Sequence, residues 1–139
     1  MHGPKYRAEF RGGLNREAIA AIRVLQGHWP VAFPKKSRLV RPLSGRVIAP
    51  IAAGTGWSKR YTVSVVGVWK RRRAYSESVL RHERRYDLTG AVTDEIIGDR
   101  ARERALANLA RLSLARIGNG EGGERAPDEI PADFITVRA

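Results

Sequence analysis

The stretch Trp69-Lys70-Arg71-Arg72-Arg73-Ala74-Tyr75 places four consecutive cations between two aromatic residues. A second basic group, Arg81-His82-Glu83-Arg84-Arg85, follows and leads into Tyr86-Asp87-Leu88-Thr89-Gly90. Such spacing combines charge that neutralises phosphates with flat rings that can meet a base or a sugar. The alternative is that the cations form a solvated charged face and both aromatics lie in the core. The rest of the chain has to decide between these two interpretations.

The composition indicates a basic domain that binds an acidic partner. The 139 residues make one domain of ordinary size, or a smaller one with tails, and 42% hydrophobic residues suffice for a modest core. A net charge of +12 points to nucleic acid first, an anionic membrane surface second and an acidic protein third. The excess is uneven, since residues 118–139 carry −3 and residues 1–117 carry +15. A basic body with a short acidic tail is typical of nucleic-acid-binding proteins.

Several classes of function are disfavoured. The chain has no cysteine, and its three histidines are scattered without a helical i, i+4 partner, so neither a metal site nor a histidine-based triad is expected. No plausible nucleophile–base pair stands out, and we therefore expect no enzyme activity and no cofactor. No apolar run approaches the ~20 residues that span a bilayer, and residues 1–13 lack the apolar core of a secretion signal. The expectation is a cytoplasmic protein with no membrane association.

The first half of the chain predicts two helices after a basic, flexible arm at residues 1–13. Asn15 caps a helix that ends at Gly27, with Leu14 and Ile19 as a hydrophobic staple. Two prolines keep residues 29–34 from being helical, and the rings of that loop should pin it to the core. Exposed cations follow, and then a second helix from Pro42 to about Ala53; these cations are Lys35, Lys36, Arg38 and Arg41.

The segment after Ser58 contains conflicting signals. Ser58 suits an N-cap, and apolar residues recur at helical spacing up to Trp69, yet residues 61–68 are rich in β-branched residues that favour a strand. Periodicity and cap favour a helix from Ser58 to about Tyr75. Residues 79–92 then suggest an extended segment with a turn at Thr89-Gly90.

The last predicted helix is capped by Thr93 and stopped by Gly118. Its first turn contains Asp94 and Glu95, which suit the positive end of the helix dipole. Its buried stripe comprises Ile97, Ala101, Ala105, Leu109 and Leu112. Residues 118–139 are acidic and glycine-rich, and we expect them to form a disordered tail.

The order of these segments resembles the ProQ/FinO family of bacterial RNA chaperones. The resemblance rests on Trp29-Pro30…Ala32-Phe33, Arg41-Pro42-Leu43, Ser58-Lys59, Trp69…Tyr75 and Arg85-Tyr86-Asp87-Leu88-Thr89-Gly90, in that order. It covers roughly residues 15–117 and implies a FinO-like domain over 14–117. The implied fold is mostly α with a small β-hairpin, an α+β domain flanked by a flexible arm and tail.

The resemblance also implies a function and a site. The family binds structured RNA, favouring the base of a terminator-type stem with its single-stranded 3′ end. Its concave face uses residues matched here by Lys59, Tyr75 and Arg85. The sequence departs from the pattern in three ways: residues 44–57 are about one helical turn shorter, two arginines of the central helix are replaced by Val63 and Gly67, and His82-Glu83 stands where a glycine-proline hairpin turn is usual.

The residues themselves suggest how RNA would be held. Backbone N–H groups at a helix start capped by Ser58, flanked by Lys59 and Arg60, make a phosphate site; the alternative is a plain cap with two solvated cations. Tyr75 offers a ring for stacking on an unpaired nucleotide, unless it is a core tyrosine, and Arg85 offers a two-pronged hydrogen bond, unless it pairs with Asp87. The full candidate set is Lys35, Lys36, Arg41, Ser58, Lys59, Arg60, Lys70, Arg73, Tyr75, Arg81, Arg84 and Arg85.

The resulting expectation is a monomeric RNA chaperone. Its partners would be structured small RNAs and mRNA 3′ ends, in small-RNA or antisense post-transcriptional regulation. Two alternatives stay open: a DNA-binding protein that inserts residues 58–75 in the major groove, and an interaction module whose basic face docks an acidic protein.

Overall fold

Five α-helices and one two-stranded antiparallel hairpin make up residues 16–118, the part of the chain that this computed structural model describes, with side chains to residue 115. In chain order these are α1 (Arg16–His28), α2 (Ile48–Thr55), α3 (Lys59–Lys70), α4 (Arg73–Arg81), β1 (Arg84–Tyr86), β2 (Val92–Ile96) and α5 (Asp99–Gly118), with a 3₁₀ turn at Ser37–Leu39. The expectation of a mostly α fold with a small hairpin is confirmed. The expected arm, the tail and the Asn15 cap lie outside the described residues.

Helix α3 is the centre of the fold, and it packs against α1, α2 and α4. The hydroxyl oxygen of Ser58 accepts the Tyr61 N–H at 3.0 Å, so the N-cap prediction is confirmed. Six residues of α3 are buried: Tyr61, Thr62, Val65, Val66, Val68 and Trp69. The β-branched residues that favour a strand therefore fill the core from a helix, because burial outweighs their intrinsic preference.

Two aromatic residues join the loop after α1 to α3. Phe33 is fully buried and meets Trp69 edge to face, with ring centroids 5.3 Å apart. Trp29 is half-buried, and its ring lies against Gly54 of α2. The loop at residues 29–34 is thus pinned to the core, as its two rings predict.

The helix predicted from Ser58 to about Tyr75 is in fact two helices, so that prediction is wrong. Helix α3 ends at Lys70, and Arg72 has extended backbone angles before α4 begins at Arg73. The Asn108 side chain of α5 donates to the Arg71 carbonyl at 3.0 Å and to the Ser76 hydroxyl at 2.9 Å. This long-range contact satisfies a backbone carbonyl at the end of α3. Helix propensity alone would have continued the helix past this point.

The second helix starts later than predicted. Instead of beginning a helix at Pro42, the chain pairs with β1: Tyr86 N–H donates to the Pro42 carbonyl and Ser44 N–H to the Tyr86 carbonyl, both at 2.8 Å. Residues 42–44 thus run parallel to β1 as an added edge. Helix α2 begins at Ile48, which places Pro50 in its first turn, where a missing N–H costs nothing.

The hairpin also differs from the prediction. Residues 79–81 belong to α4 rather than to an extended segment, and residues predicted to open the last helix form β2 instead. The Thr93 hydroxyl donates to the Arg85 carbonyl across the hairpin at 2.8 Å, while its oxygen accepts the Glu95 N–H at 3.1 Å. Thr93 therefore makes a cap-like bond in a bulged strand, and helix α5 begins at Asp99.

The hairpin turn lies at residues 87–91, and not at His82-Glu83. The Asp87 carboxylate accepts hydrogen bonds from the N–H groups of Thr89 (2.9 Å) and Ala91 (3.0 Å), and the Thr89 hydroxyl adds a third. These bonds, the Thr89 hydroxyl first, lower the pKa of Asp87. Gly90 has a φ of 92°, a left-handed angle that the predicted Thr89-Gly90 turn requires.

Substituting Gly90 should destabilise the domain. A Cβ there would force the left-handed angle on an L-residue and would collide with the Val31 side chain. We expect Gly90→Ala to lower the free energy of unfolding by about 1–3 kcal/mol, measured by urea denaturation. Gly27→Ala is the matched control, because a Cβ there meets nothing within 4 Å in a helix; it should raise stability by up to about 1 kcal/mol. Equal effects of both variants would refute the turn's role.

Helix α5 closes the domain against α4. The predicted stripe is buried at Ile97, Ala105 and Leu109, and half-buried at Ala101 and Leu112. The Arg102 guanidinium donates to the carbonyls of Val79 (3.2 Å) and His82 (3.1 Å), and so satisfies the C-terminal end of α4. These contacts fix the spacing between α4 and α5, where a pocket lies.

Candidate nucleic-acid interface

The first pocket is a space of about 350 Å³ between α4, β1 and α5. Four of its lining residues are cations, Lys70, Arg71, Arg85 and Arg104, and none is acidic. Its other walls are Tyr75, Ser76, Val79, Ala101, Ala105 and Asn108. A concave site lined by one sign of charge concentrates ligands of the opposite sign, and here the ligand would be an anion.

Tyr75 and Arg85 form a connected pair in this pocket. The Tyr75 hydroxyl accepts the Leu43 N–H at 3.0 Å, and the Arg85 guanidinium donates to the Leu43 carbonyl at 3.2 Å. One backbone unit beside β1 therefore positions both side chains. Burial raises the pKa of Tyr75, an effect that the Leu43 hydrogen bond and the Arg85 charge partly offset. The hydroxyl thus keeps its proton and remains able to donate to a ligand.

The surroundings of Lys70 in the pocket disfavour its charged form. Burial lowers its pKa, and the nearby charges of Arg85 and Arg104 lower it further, while Glu95 acts in the opposite direction. Like charges held this close favour any anion that enters between them, because its charge offsets their repulsion. The pocket is therefore prepared for a phosphate or another negative group.

Glu95 is an acid whose charge acts on Lys70, and its carboxylate is already engaged. Its carboxylate accepts a short hydrogen bond from the Ser44 hydroxyl and a second from the Gly45 N–H at 3.1 Å. These two bonds, together with the charges of Arg46 and Arg85, lower the pKa of Glu95. Glu95 thereby anchors the segment that positions Leu43, and through Leu43 it supports Tyr75 and Arg85.

A second pocket of about 190 Å³ lies beside the break between α3 and α4. Tyr75 borders this pocket as well as the first one, so the two spaces adjoin one side chain. Its cationic walls are Lys35, Arg72 and Arg73. The run of four cations at residues 70–73 is thus divided between the two pockets. Lys70 and Arg71 line the first, and Arg72 and Arg73 line the second.

The exposed face of α3 connects the first pocket to the predicted phosphate site at Ser58. The residues of α3 that reach solvent form one stripe, comprising Lys59, Arg60, Val63, Ser64, Gly67 and Lys70. Lys59 and Lys70 are eleven residues apart, which corresponds to about 16 Å along the helix axis. Lys59 and Arg60 are therefore outside the pocket that holds Tyr75 and Arg85, but on a surface continuous with it.

The predicted site residues separate into three groups. Lys70, Tyr75 and Arg85 meet in the first pocket, and Lys35 and Arg73 line the second. Ser58, Lys59 and Arg60 stand at the far end of α3. Neither pocket includes the remaining four, Lys36, Arg41, Arg81 and Arg84. Of these, Arg41 lies over the Tyr86 ring at 5.0 Å and donates to the Gly90 carbonyl at 3.4 Å, so it helps to hold the hairpin.

The stacking role predicted for the Tyr75 ring is wrong for this conformation. Tyr75 is only 6% exposed, and its ring belongs to the hydrophobic core. No face of the ring is open for a base, so the residue can act only through its hydroxyl and its edge. The predicted alternative for Arg85, a pair with Asp87, is not formed, because the Asp87 carboxylate is used in the hairpin turn.

Sequence reasoning missed three residues of the first pocket: Arg71, Arg104 and Asn108. The side chains of Arg104 and Asn108 lie one turn apart on α5, a helix whose register was predicted from its apolar stripe alone. Arg71 reaches back along α3, with its Nη1 atom 3.6 Å from the place that a Cβ at Gly67 would occupy. At that distance a Cβ would be in ordinary van der Waals contact, so Arg71 lies directly beside the position where the family pattern has an arginine, an arrangement that no local pattern signals.

The fold and the site together define a small helical domain with a cation-lined binding face. The family model described as ProQ/FINO matches residues 16–117, nearly all of the described chain. The chain therefore belongs to the ProQ/FinO family, and it is an RNA-binding protein of the chaperone class. A search of curated proteins finds no match. Within residues 16–118, no helix has the length and apolarity to cross a membrane, and no group of potential ligands could hold a metal ion.

Proposed function

We propose that this protein recognises the base of a terminator-like RNA stem together with its single-stranded 3′ end. The first pocket takes the terminal nucleotide of the RNA. The Tyr75 hydroxyl and the Arg85 guanidinium donate to its ribose or phosphate oxygens. The single observation that carries this proposal is the convergence of Tyr75, Arg85 and three further cations, from α3, α4, β1 and α5, on one pocket without an acidic wall.

The stem would lie along the exposed stripe of α3. Lys59 and Arg60 stand about 16 Å from Lys70, so they can neutralise duplex phosphates while the strand end occupies the pocket. An A-form duplex hides its base edges in a deep, narrow groove, so recognition of this kind depends on shape, backbone and strand end. The centre of the stripe is neutral, and of its residues Val63, Ser64 and Gly67 only Ser64 has a side chain that could form a hydrogen bond with a base.

The chaperone activity would follow from the same charges. Two RNA strands that approach one another repel through their phosphates, and a basic surface lowers that repulsion. We propose that the protein acts as a monomer in the bacterial cytoplasm, in small-RNA or antisense post-transcriptional regulation, with structured small RNAs and mRNA 3′ ends as partners. We propose no catalytic activity, since ProQ/FinO is a non-enzymatic RNA-binding family.

A competition experiment tests the proposed substrate. A fluorescent RNA hairpin with a uridine tail is bound to the full chain and displaced by three competitors: the same RNA unlabelled, the RNA with a 3′-terminal phosphate, and duplex DNA of equal length. We expect the unlabelled RNA to displace at least about tenfold better than the DNA, and the 3′-phosphate RNA to displace with a different affinity from the unmodified RNA, because its added charge and bulk would enter the cation-lined pocket. Equal displacement by RNA and DNA would refute recognition of RNA, and equal displacement by the two RNAs would refute recognition of the end.

The two alternative functions fit the site less well. A major-groove helix over residues 58–75 is disfavoured because that segment is two helices, and α3 is buried on one face between α1 and α2. Docking of an acidic protein on the basic face predicts that material co-purifying with the chain is protein free of nucleic acid. Sequencing of co-purified RNA with mapped 3′ ends would decide this question as well as name the targets.

Lys59→Ala tests the phosphate site at the start of α3. Because Lys59 is exposed and remote from the pocket, its loss should weaken binding of tailed and blunt hairpins by the same modest factor. We expect the slope of log K against log salt concentration to fall by about one unit, as for one lost phosphate contact. Arg23→Ala, an exposed cation on α1, is the control and should leave the slope unchanged. An unchanged slope for Lys59→Ala would exclude Lys59 from the interface.

A further inference from the structure

Two residues that line the second pocket carry buried hydrogen-bond donors without a partner. Trp69 and Arg73 both line it, and the Trp69 Nε1–H and the Nη2 of Arg73 have no hydrogen-bond partner among the described residues. Trp69 is only 1% exposed. A buried donor left unsatisfied is energetically costly, so two of them at one small pocket require a reason.

The surroundings of these donors are strongly electropositive. Lys35, Arg72 and Arg73 contribute three cations, and no acidic residue lines the pocket. Helix α4 begins here, and Arg72 at its N-cap position supplies no side-chain acceptor for the first backbone N–H groups. Those N–H groups, with the partial positive charge of the helix end, add to the attraction for an anion.

Donors without acceptors define the chemistry of the ligand. Indole, guanidinium, ammonium and backbone N–H groups all donate, and the Ser37 hydroxyl can do so too. A tetrahedral phosphate has enough oxygens to accept from several of them at once. The volume of about 190 Å³ admits a phosphate with its attached ribose and excludes a duplex.

A third cation of this pocket, Arg72, can join these donors. The Arg72 guanidinium lies over the Trp69 ring at 4.7 Å, and Arg72 is otherwise exposed. A phosphate that approaches can draw this guanidinium off the ring toward itself, because a charge-assisted hydrogen bond is stronger than an exposed cation–π contact. The Arg72 guanidinium would then donate to the same ligand as the Trp69 indole N–H and Arg73.

We propose that the second pocket is a phosphate-binding subsite, in which the Trp69 indole N–H, Arg73 and the start of α4 bind the phosphate. Tyr75 separates it from the first pocket by the breadth of one side chain. The identity of the ligand rests on the proposed function: in the complex, the subsite holds a backbone phosphate of the RNA strand whose end occupies the first pocket. The strand would thus bend around the edge of Tyr75, with one nucleotide group on each side.

Indole NMR resonances can test the subsite in the full chain. The protein has three tryptophans, so ¹⁵N-tryptophan labelling gives three indole N–H signals, with that of Trp69 assigned from its loss in Trp69→Phe. At constant pH and ionic strength, the labelled protein is titrated with inorganic phosphate, with chloride and with the tailed RNA hairpin. Trp29 is the internal control, since its ring lies between His28 and Gly54.

The expected result is a saturable downfield shift of the Trp69 indole signal with phosphate and with RNA, and none with chloride. Arg73→Gln should weaken the affinity for phosphate, measured from the titration of this shift, about tenfold, as for one lost charge-assisted hydrogen bond. The melting temperature should not change by more than a few degrees. Arg23→Gln, which removes an exposed cation of α1 that lines neither pocket, is the control and should not weaken this affinity.

Each other outcome overturns part or all of the inference. A Trp69 signal that neither phosphate nor RNA moves excludes the subsite. A shift with phosphate but not with bound RNA assigns the pocket to a free anion and removes it from the RNA path. If the RNA fails to bind at all while phosphate still shifts the signal, the proposed function fails and the phosphate site stands.

Discussion

Arg85→Ala is expected to weaken binding of a hairpin RNA with a free 3′ tail by about 100-fold, the largest loss from any single residue of the interface. The guanidinium is half-buried among other cations, and its removal takes away both a direct donor and a group that helps to hold Leu43. Truncating one partner of a buried, hydrogen-bonded charge pair costs about 2–5 kcal/mol, which includes this factor. Fluorescence anisotropy at fixed salt concentration measures it.

Two comparisons make the Arg85 result specific. Arg84→Ala removes the same charge from the neighbouring residue of β1, whose side chain points to the opposite face of the strand; it should cost at most a few-fold. A blunt hairpin lacks the single-stranded end that Arg85 is proposed to bind, and its affinity should fall much less than that of the tailed RNA. Equal losses for Arg84→Ala and Arg85→Ala would reduce the pocket to a diffuse positive surface. An unchanged melting temperature would separate binding from folding.

Phe33→Ala should be the most destabilising of the substitutions considered for the fold. Phe33 is fully buried, and its ring packs edge to face on Trp69 at the centre of the core. Loss of a buried phenylalanine side chain costs about 3–5 kcal/mol, a large fraction of the stability of a domain of this size. Urea denaturation followed by circular dichroism should therefore give a much lower midpoint, or no folded baseline.

Leu39→Ala is the control for this variant. Leu39 lies in the same connection between α1 and α2, but its side chain is 45% exposed. We expect a loss below about 1 kcal/mol, because exposed side chains bury little area on folding. If Phe33→Ala were as mild as Leu39→Ala, the loop at residues 29–34 would not be part of the core.

Local patterns predicted the parts of the fold that depend on local bonds. The Ser58 cap and the Gly90 turn each rely on hydrogen bonds or backbone angles within a few residues, and both are found where expected. The apolar spacing of α3 and α5 likewise predicted which faces are buried. The order of these locally specified segments was enough to indicate the family.

The errors occur where a distant residue determines the outcome. The carbonyl that ends α3 is bound by Asn108, a residue 37 positions away, and residues 42–44 are extended because β1 offers them an edge. Thr93 makes the hydrogen bond of a cap, but its hydroxyl also reaches across the hairpin to Arg85. In each case the local pattern predicted a helix at that point, and a tertiary contact gave a different structure.

The site shows the same division. Tyr75 and Arg85 were predicted together, and they share Leu43 as a neighbour, yet nothing in the sequence indicates that the Tyr75 ring is buried or that Arg104 completes the pocket. Charge runs predict that a surface is basic, but they do not say which cations converge. That information depends on the angle between helices, which only long-range packing sets.

The interruption after Lys70 has a consequence for how the chain can change. In one unbroken helix, neighbouring arginines would spiral around a single axis, and altering one would disturb the next. Here the bend places Arg71 at the first pocket and Arg73 at the second. Under the proposed function, each arginine could then be substituted with little effect on the pocket of the other.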